Sequence, residues 1–313
     1  MTNRSVDNSV VVVVGATSGV GRATALSLAA SGAHLVVAAR DRDEVELVVE
    51  ECRQLGRDAL GVVADIAVAD DVDRIVDAAV ARFGGIDTWI NAAANLVVGE
   101  LHRQSVDDIT QLVATNVLGT TLASRAAMAH FRFHNAGVLI NISSLLGLVP
   151  NPVVPTYAMS KFAVRGLTLS LHQSTWRRSP IKVCAVLPGP IDTPMFARAV
   201  NRSGRPIRAI PPAISPERVA AVVIRSVKRP RRQRTTGITG AMIFVGHHVL
   251  PRFTETFVAQ VAARLIFRGH RDRSRTGGRH AANATNGVSG GWRRGRLRVQ
   301  AGDSVGRLLA RRR

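Results

Sequence analysis

Short apolar, β-branched runs alternate with longer stretches of helical periodicity over the first 190 residues. The runs predict strands at 10–14, 34–39, 59–64, 88–90, 138–142 and 182–187, and the stretches between them predict helices at 20–31, 43–54, 69–82, 109–133 and 157–177. The strands are apolar at consecutive positions rather than at alternate ones. That pattern is expected of a parallel sheet covered by helices on both faces, because neither face then meets water. An α/β class is therefore predicted, with a doubly wound sheet as one domain over residues 1–250. After Pro188 the periodicity loosens, and the Pro, Gly and Arg content of 189–215 predicts a loop-rich substrate segment with one short helix near 193–200. A helix at 216–227 and a last strand at 241–245 complete the expected sheet, followed by a C-terminal helix within 251–268.

Charge changes this picture only at the end of the chain. The formal net charge is +20, but residues 226–313 hold 20 Lys/Arg against 3 Asp/Glu, so most of the excess lies outside the expected catalytic part. Residues 269–313 lack sustained apolar periodicity, and a basic, disordered tail is expected there. Solvation is its plain reading, with contact to nucleic acid or a membrane surface as the alternatives. The two cysteines, Cys52 and Cys184, have neither metal-ligand spacing nor the density of a disulfide scaffold. A reducing, cytoplasmic setting with no metal is the expectation, and no apolar run reaches membrane-spanning length.

Candidate chemistry begins directly after the first strand. Gly15, Thr17, Ser18, Gly19, Val20 and Gly21 form a glycine-punctuated turn that opens a helix. Glycine there permits close backbone approach to a pyrophosphate, whose charge the helix N-terminus favours. The expected fold is thus of Rossmann type, with a dinucleotide along the carboxyl edge of the sheet. At the end of the second strand, Ala39 stands where an acid would accept from an adenosine ribose. Arg40 follows it and can pair with a 2'-phosphate, so NADP(H) is expected over NAD(H), with Arg22 as a possible aid and Asp41 opposing. Asp65, followed by Ile66, is positioned to accept from an adenine amino group. Asn91, Ala92 and Ala93 end the fourth strand with small residues suited to a cofactor surface. For Asp65 and Asn91, ordinary capping of a strand end is the competing reading.

Tyr157 is the only tyrosine in the chain, and Lys161 stands four residues later, on the same face of a helix. A cation beside a phenol stabilises phenolate and draws it toward acid/base use. Ser143 and Ser144 follow a buried-looking strand, where either hydroxyl is able to hold a substrate oxygen. Arg198, Arg202, Arg205 and Arg208 in the loop segment are readable as contacts for an acidic substrate or as solvated charge.

Together these motifs resemble the short-chain dehydrogenase/reductase (SDR) family over residues 8–250. The resemblance implies that Tyr157 transfers the proton, Ser144 orients the reacting oxygen, and Lys161 lowers the phenol pKa and binds ribose. It further implies that Asn116 holds a relay water, that Pro188 and Gly189 face nicotinamide, and that Thr193 contacts its carboxamide. Val14, Ala92 and Ala94 depart from the family pattern, which alters packing near the cofactor but keeps the four catalytic side chains. The expected activity is interconversion of a small-molecule carbonyl and alcohol by hydride transfer, in a homodimer or homotetramer. A cofactor-binding regulatory or interaction protein without turnover is the alternative.

Overall fold

The computed structural model describes residues 4–175, 180–267 and 287–292. Its main sheet has seven parallel strands in the order β3-β2-β1-β4-β6-β7-β9. These are β1 (Val10–Val14), β2 (His34–Ala39), β3 (Ala59–Val63), β4 (Thr88–Asn91), β6 (Gly137–Ile142), β7 (Ile181–Leu187) and β9 (Gln233–Thr235). A two-stranded ladder of β5 (Val97–Val98) and β8 (Val200–Asn201) stands apart from it. The chain winds outward from β1 to β3 and then crosses back to β4. A topological switch point therefore opens between β1 and β4 at their carboxyl ends, where ligands of such sheets bind.

The all-valine β1 shows why this sheet is covered on both sides. Val11 and Val13 pack toward one face with Leu26, Val48 and Val223. Those residues come from α1 (Gly19–Ala29), α2 (Arg42–Gln54) and α8 (Pro216–Lys228). Val12 and Val14 pack toward the other face with Ile75, Ala127 and Phe131. These belong to α3 (Ala69–Phe83) and α5 (Thr120–Phe133). Local chemistry sets the helix starts: Asp41 accepts from the Glu44 N–H, and Ser105 and Asp108 form a capping box at α4 (Val106–Val113). Pro155 occupies the first turn of α6 (Pro155–Ser174), where a missing N–H costs nothing.

Three expectations differ from the structure. The long helix predicted at 109–133 is α4 and α5 joined by a π-helical stretch, Ala114–Gly119. The strand predicted at 241–245 is helical, within α9 (Gly237–Val249), and the last strand is the short, arginine-flanked β9. A five-residue apolar run reads equally as strand or buried helix. Here Ile243 and Phe244 pack on Leu145, Leu148 and Val149, while Ile238, Met242 and Val245 face outward. Finally, residues 287–292 of the expected disordered tail lie on the domain, anchored by Val288, which is 7% exposed. The other residues of 269–313, with the tail's proposed nucleic-acid or membrane contacts, lie outside the described residues. The short helix expected near 193–200 is α7 (Met195–Arg198), and α10 (Pro251–Leu265) follows α9. No described helix is long and apolar enough to cross a membrane.

The interior is not wholly apolar. Asn91 and Asn141 face each other across β4 and β6, and the Asn91 amide donates to Asn141 Oδ1 at 2.8 Å. Asn141 donates to Thr168 Oγ1 at 3.0 Å, and Trp89 Nε1 donates to Asn91 Oδ1 at 2.9 Å. Truncating one member leaves several buried partners unmet. Asn141→Ala should lower the unfolding free energy by roughly 1–3 kcal/mol. Urea denaturation checks this, and a midpoint equal to wild type would show that the network contributes nothing.

Candidate active site

A single crevice of about 880 Å³ runs along the carboxyl edge of the sheet, with the glycine turn at one end and Ser144, Tyr157 and Lys161 further along. Two glycines make the first end by necessity. Gly15 has φ of +76°, and a Cβ on it would lie 2.6 Å from the Ala93 backbone. A Cβ on Gly21 would lie 2.0 Å from the Gly15 carbonyl oxygen. The β1 turn, the start of α1 and the end of β4 are therefore in direct backbone contact. Thr17, Ser18, Gly19 and Val20 line the crevice here, as do Ala92, Ala93 and Ala94. The small residues leave a cradle that fits a dinucleotide.

Arg40 and Asp65 also line the crevice, and their side chains are 3.9 Å apart. The pair is half exposed, so it holds Arg40 only weakly and leaves its guanidinium able to turn. Asp65 additionally accepts from the Ala67 N–H at 2.9 Å, the capping role that competed with adenine contact. Ile66 lies beside it, buried against the backbone of Gly119. Arg22 does not reach this surface as an aid to phosphate. It is buried and donates to both carboxylate oxygens of Glu51, at 2.7 and 3.0 Å. Arg198, from α7, was missed as a nucleotide-end residue: it lines the crevice and donates to Ser18 Oγ at 3.2 Å. Burial lowers its pKa, while Glu44 and Asp41 oppose that shift. At a sequence separation of 180 between Arg198 and Ser18, no local pattern signals the contact.

Asn91 and Asn116 are brought near the crevice without lining it. Asn91 is turned into the buried amide network. Asn116 sits in the π-helical stretch, where its Oδ1 accepts from the Asn95 N–H at 2.7 Å. Its Nδ2 donates to Asn95 O and Ser160 Oγ, both at 3.0 Å. The wide π turn carries an amide that ties α4, the β4 exit and α6 together. Both ends of that side-chain amide therefore have protein partners.

Two reciprocal bonds position the chemical end. Ser143 Oγ donates to Lys161 O at 2.8 Å, and Lys161 Nζ donates to Ile142 O at 3.0 Å. Both serines border the crevice: the Ser143 hydroxyl is committed to Lys161 O, while Ser144 Oγ accepts from the Leu146 N–H at 3.0 Å, on the Tyr157 side. Burial pushes the phenol up to about 12, a rise that the nearby Ser144 hydroxyl opposes. Burial also pushes Lys161 down to about 8. Burial, rather than the neighbouring cation, sets the direction of the phenol's shift. Lys161 Nζ lies 5.6 Å from the centre of the Tyr157 ring.

Pro188, Gly189 and Thr193 line the crevice opposite, with the Gly189 N–H donating to Thr236 Oγ1 at 3.3 Å. Beyond Tyr157 the walls become apolar: Leu96, Val154 and Phe196 from the domain, and Ile243, Val258 and Val261 from α9 and α10. The other loop arginines are engaged elsewhere. Arg202 forms a two-pronged pair with Asp108, Arg205 stacks over Phe267, and Arg208 donates to Leu265 O. Among the described residues, no cluster of three or more His, Cys, Asp or Glu is gathered for a metal.

Strand order, glycine turn and carboxyl-edge crevice define a dinucleotide-type α/β protein. The family model described as short chain dehydrogenase matches residues 9–203. The chain is 32% identical over 261 residues to the uncharacterized oxidoreductase YxnA of Bacillus subtilis (strain 168), covering 82% of this chain and 73% of that one. It is 30% identical over 233 residues to an uncharacterized oxidoreductase of Staphylococcus aureus (strain N315), covering 74% of this chain and 96% of that one. A crystal structure of a short chain dehydrogenase/reductase from Burkholderia phymatum in complex with NAD superposes with a TM-score of 0.69 at 24% identity, covering 79% and 96% of the two chains. This chain therefore belongs to the short-chain dehydrogenase family, whose general activity is NAD(P)-linked oxidoreduction.

The buried ammonium has a cost that can be measured. Lys161 is 4% exposed, and its folded pKa lies below the unfolded value. The unfolded chain thus binds the extra proton between about pH 8 and 10.5. The penalty is complete below that window and fades as pH rises through it. Between about pH 8 and 10.5 the wild type should gain stability relative to Lys161→Met, by on the order of 3 kcal/mol across the window, as the penalty fades. Thermal melts of both proteins across that range test it, and a difference between them that does not change with pH would refute the penalty.

Proposed function

We propose that this protein is an NADP(H)-preferring oxidoreductase that interconverts a carbonyl and an alcohol on an apolar carbon skeleton, with Tyr157 as acid/base. One observation carries the reading: Ser144, Tyr157 and Lys161 border the same crevice, between a glycine cradle and an apolar chamber. When bound, the nicotinamide cofactor supplies or accepts the hydride. Gly15, Gly19 and Gly21 hold its pyrophosphate by backbone approach, while Asp65, Ile66, Ala92 and Ala93 border the adenosine side. Pro188, Gly189 and Thr193 border the nicotinamide.

In reduction, Ser144 and Tyr157 hold the substrate oxygen, and Tyr157 Oη gives it a proton. Lys161 stabilises the phenolate left behind from beneath the ring, and it also binds ribose. A phenol near pKa 12 is ready as an acid at neutral pH, whereas oxidation must first ionise it. Asn116 holds α6 through Ser160 and keeps its place as the residue that would hold a water linking Lys161 to solvent. Two cations at the adenosine end, Arg40 and Arg198, support the phosphorylated cofactor. Met159 and Phe162 are 49% and 40% exposed on α6, which supports a homo-oligomer paired through that helix; sedimentation equilibrium checks this.

A carbonyl and alcohol panel read by nicotinamide absorbance with both cofactors tests the activity, with apolar ketones expected to lead. Tyr157→Phe should lose at least 100-fold in kcat, the scale of a positioned proton donor; retained turnover would remove Tyr157 from the chemistry. Separately, Arg40→Ala should weaken NADP(H) about tenfold or more and leave NAD(H) nearly unchanged. Equal loss for both cofactors would refute phosphate selection.

A further inference from the structure

Residues 287–292, Gly-Val-Ser-Gly-Gly-Trp, lie against the outer side of the cofactor end. The Gly19 N–H donates to Gly287 O at 3.0 Å, at the start of α1. Val288 is buried in the cluster that contains Val219 and borders Val20, Ile191 and Ile214. Ser289 Oγ donates to Asp192 Oδ2 at 3.0 Å, and the Trp292 N–H donates to Asp192 Oδ1 at 2.8 Å. The Gly290 N–H reaches Asp192 O at 3.2 Å, and Trp292 Nε1 donates to Thr193 O at 3.1 Å. The indole meets the edge of Phe196, with ring centres 6.3 Å apart.

This one segment therefore bonds to both walls of the cofactor end: the glycine turn and the stretch directly after Pro188–Gly189. None of its six residues is among those lining the crevice, while the Gly19 N–H and Thr193 O that it engages belong to residues that are. Asp192 is 3% exposed, and a buried carboxylate is tolerable only with donors in place. Undocking the segment would remove two of them and favour outward movement of Asp192–Thr193.

We propose that residues 287–292 are a clamp that completes the dinucleotide site, with Asp192 and Trp292 as positioning residues that hold Thr193 against the glycine turn. The proposal rests on the dinucleotide reading of the crevice. The bound cofactor would then leave slowly because its exit requires this clamp to open. A segment that competed with the cofactor would have the opposite effect on affinity.

Gly290→Ala in the full-length protein is the sharpest test. Its new Cβ would lie 2.3 Å from Thr193 O and 2.4 Å from Trp292 Nε1, so docking is blocked without deleting a contact residue. Hydrogen exchange at Gly19 and across residues 190–194 should accelerate; unchanged protection in a correctly folded variant overturns the clamp, whatever the ligand. Stopped-flow release of NADPH and NADH should quicken on the order of tenfold, the scale of one or two lost hydrogen bonds. The KM for the dinucleotide should rise while kcat at saturation is retained. Trp292→Phe, which keeps the ring against Phe196, should recover part of what Trp292→Ala loses. Unchanged release overturns the proposal, and tighter binding does so by making the segment a competitor. Should wild-type protein bind neither dinucleotide, the cofactor reading fails and, with it, the role in dinucleotide retention; the exchange measurement still decides whether 287–292 holds 192–193.

Discussion

Lys161 grips the end of β6 through both of its own polar ends. Its ammonium donates to the Ile142 carbonyl, and its main-chain carbonyl accepts from the Ser143 hydroxyl. That reciprocal junction sets α6 against the last residues of the strand, and so brings Tyr157 over the crevice beside Ser144. Gly147 belongs to the same contact, since a Cβ there would lie 2.5 Å from Lys161 O. The arrangement buries a charged group at a disadvantage in stability. What the fold gains is a proton-transfer pair whose geometry follows from backbone contacts rather than from mobile surface side chains.

Burial governs the electrostatics of that pair. A phenol near 12 and an ammonium near 8 have moved toward each other, each toward its neutral form, because the surrounding protein solvates charge less well than water. The proximity of Tyr157 and Lys161 is readable from their spacing, but the direction of the phenol shift is not. Spacing reports which side chains share a face, whereas desolvation depends on strands and loops contributed from the rest of the chain.

The same distinction separates what was legible in the sequence from what was not. The parallel strands announced themselves because burial on both faces demands consecutive apolar residues, and the glycine turn because backbone contact excludes side chains. The edge strand β9 lacks such a run, and α9 carries one that suits either helix or strand. Arg22 and Arg40 illustrate the limit within a single site: both precede or begin helical segments, yet one is held by Glu51 and the other lies at the crevice. Ser143 and Ser144 are adjacent and chemically alike, and the β6 exit alone decides which faces inward to Lys161. The docking of 287–292 rests on a few backbone donors, one valine and one tryptophan, against a composition that otherwise reads as solvated tail.

The amide pair beneath the crevice also bears on how the sheet is assembled. Neighbouring positions of β4 and β6, such as Trp89, Ile90, Leu139 and Ile140, are all fully buried hydrocarbon or aromatic surface. Greasy strands of this kind distinguish poorly between one alignment and another displaced along the strand. Asn91 and Asn141 remove that ambiguity, because any slip would break the bond between them and set each amide against hydrocarbon of the facing strand. They act as an alignment mark for two strands brought together from distant parts of the chain. By doing so they set the level at which Ala92 and Ser143 leave the sheet, and hence the relative height of the two ends of the crevice.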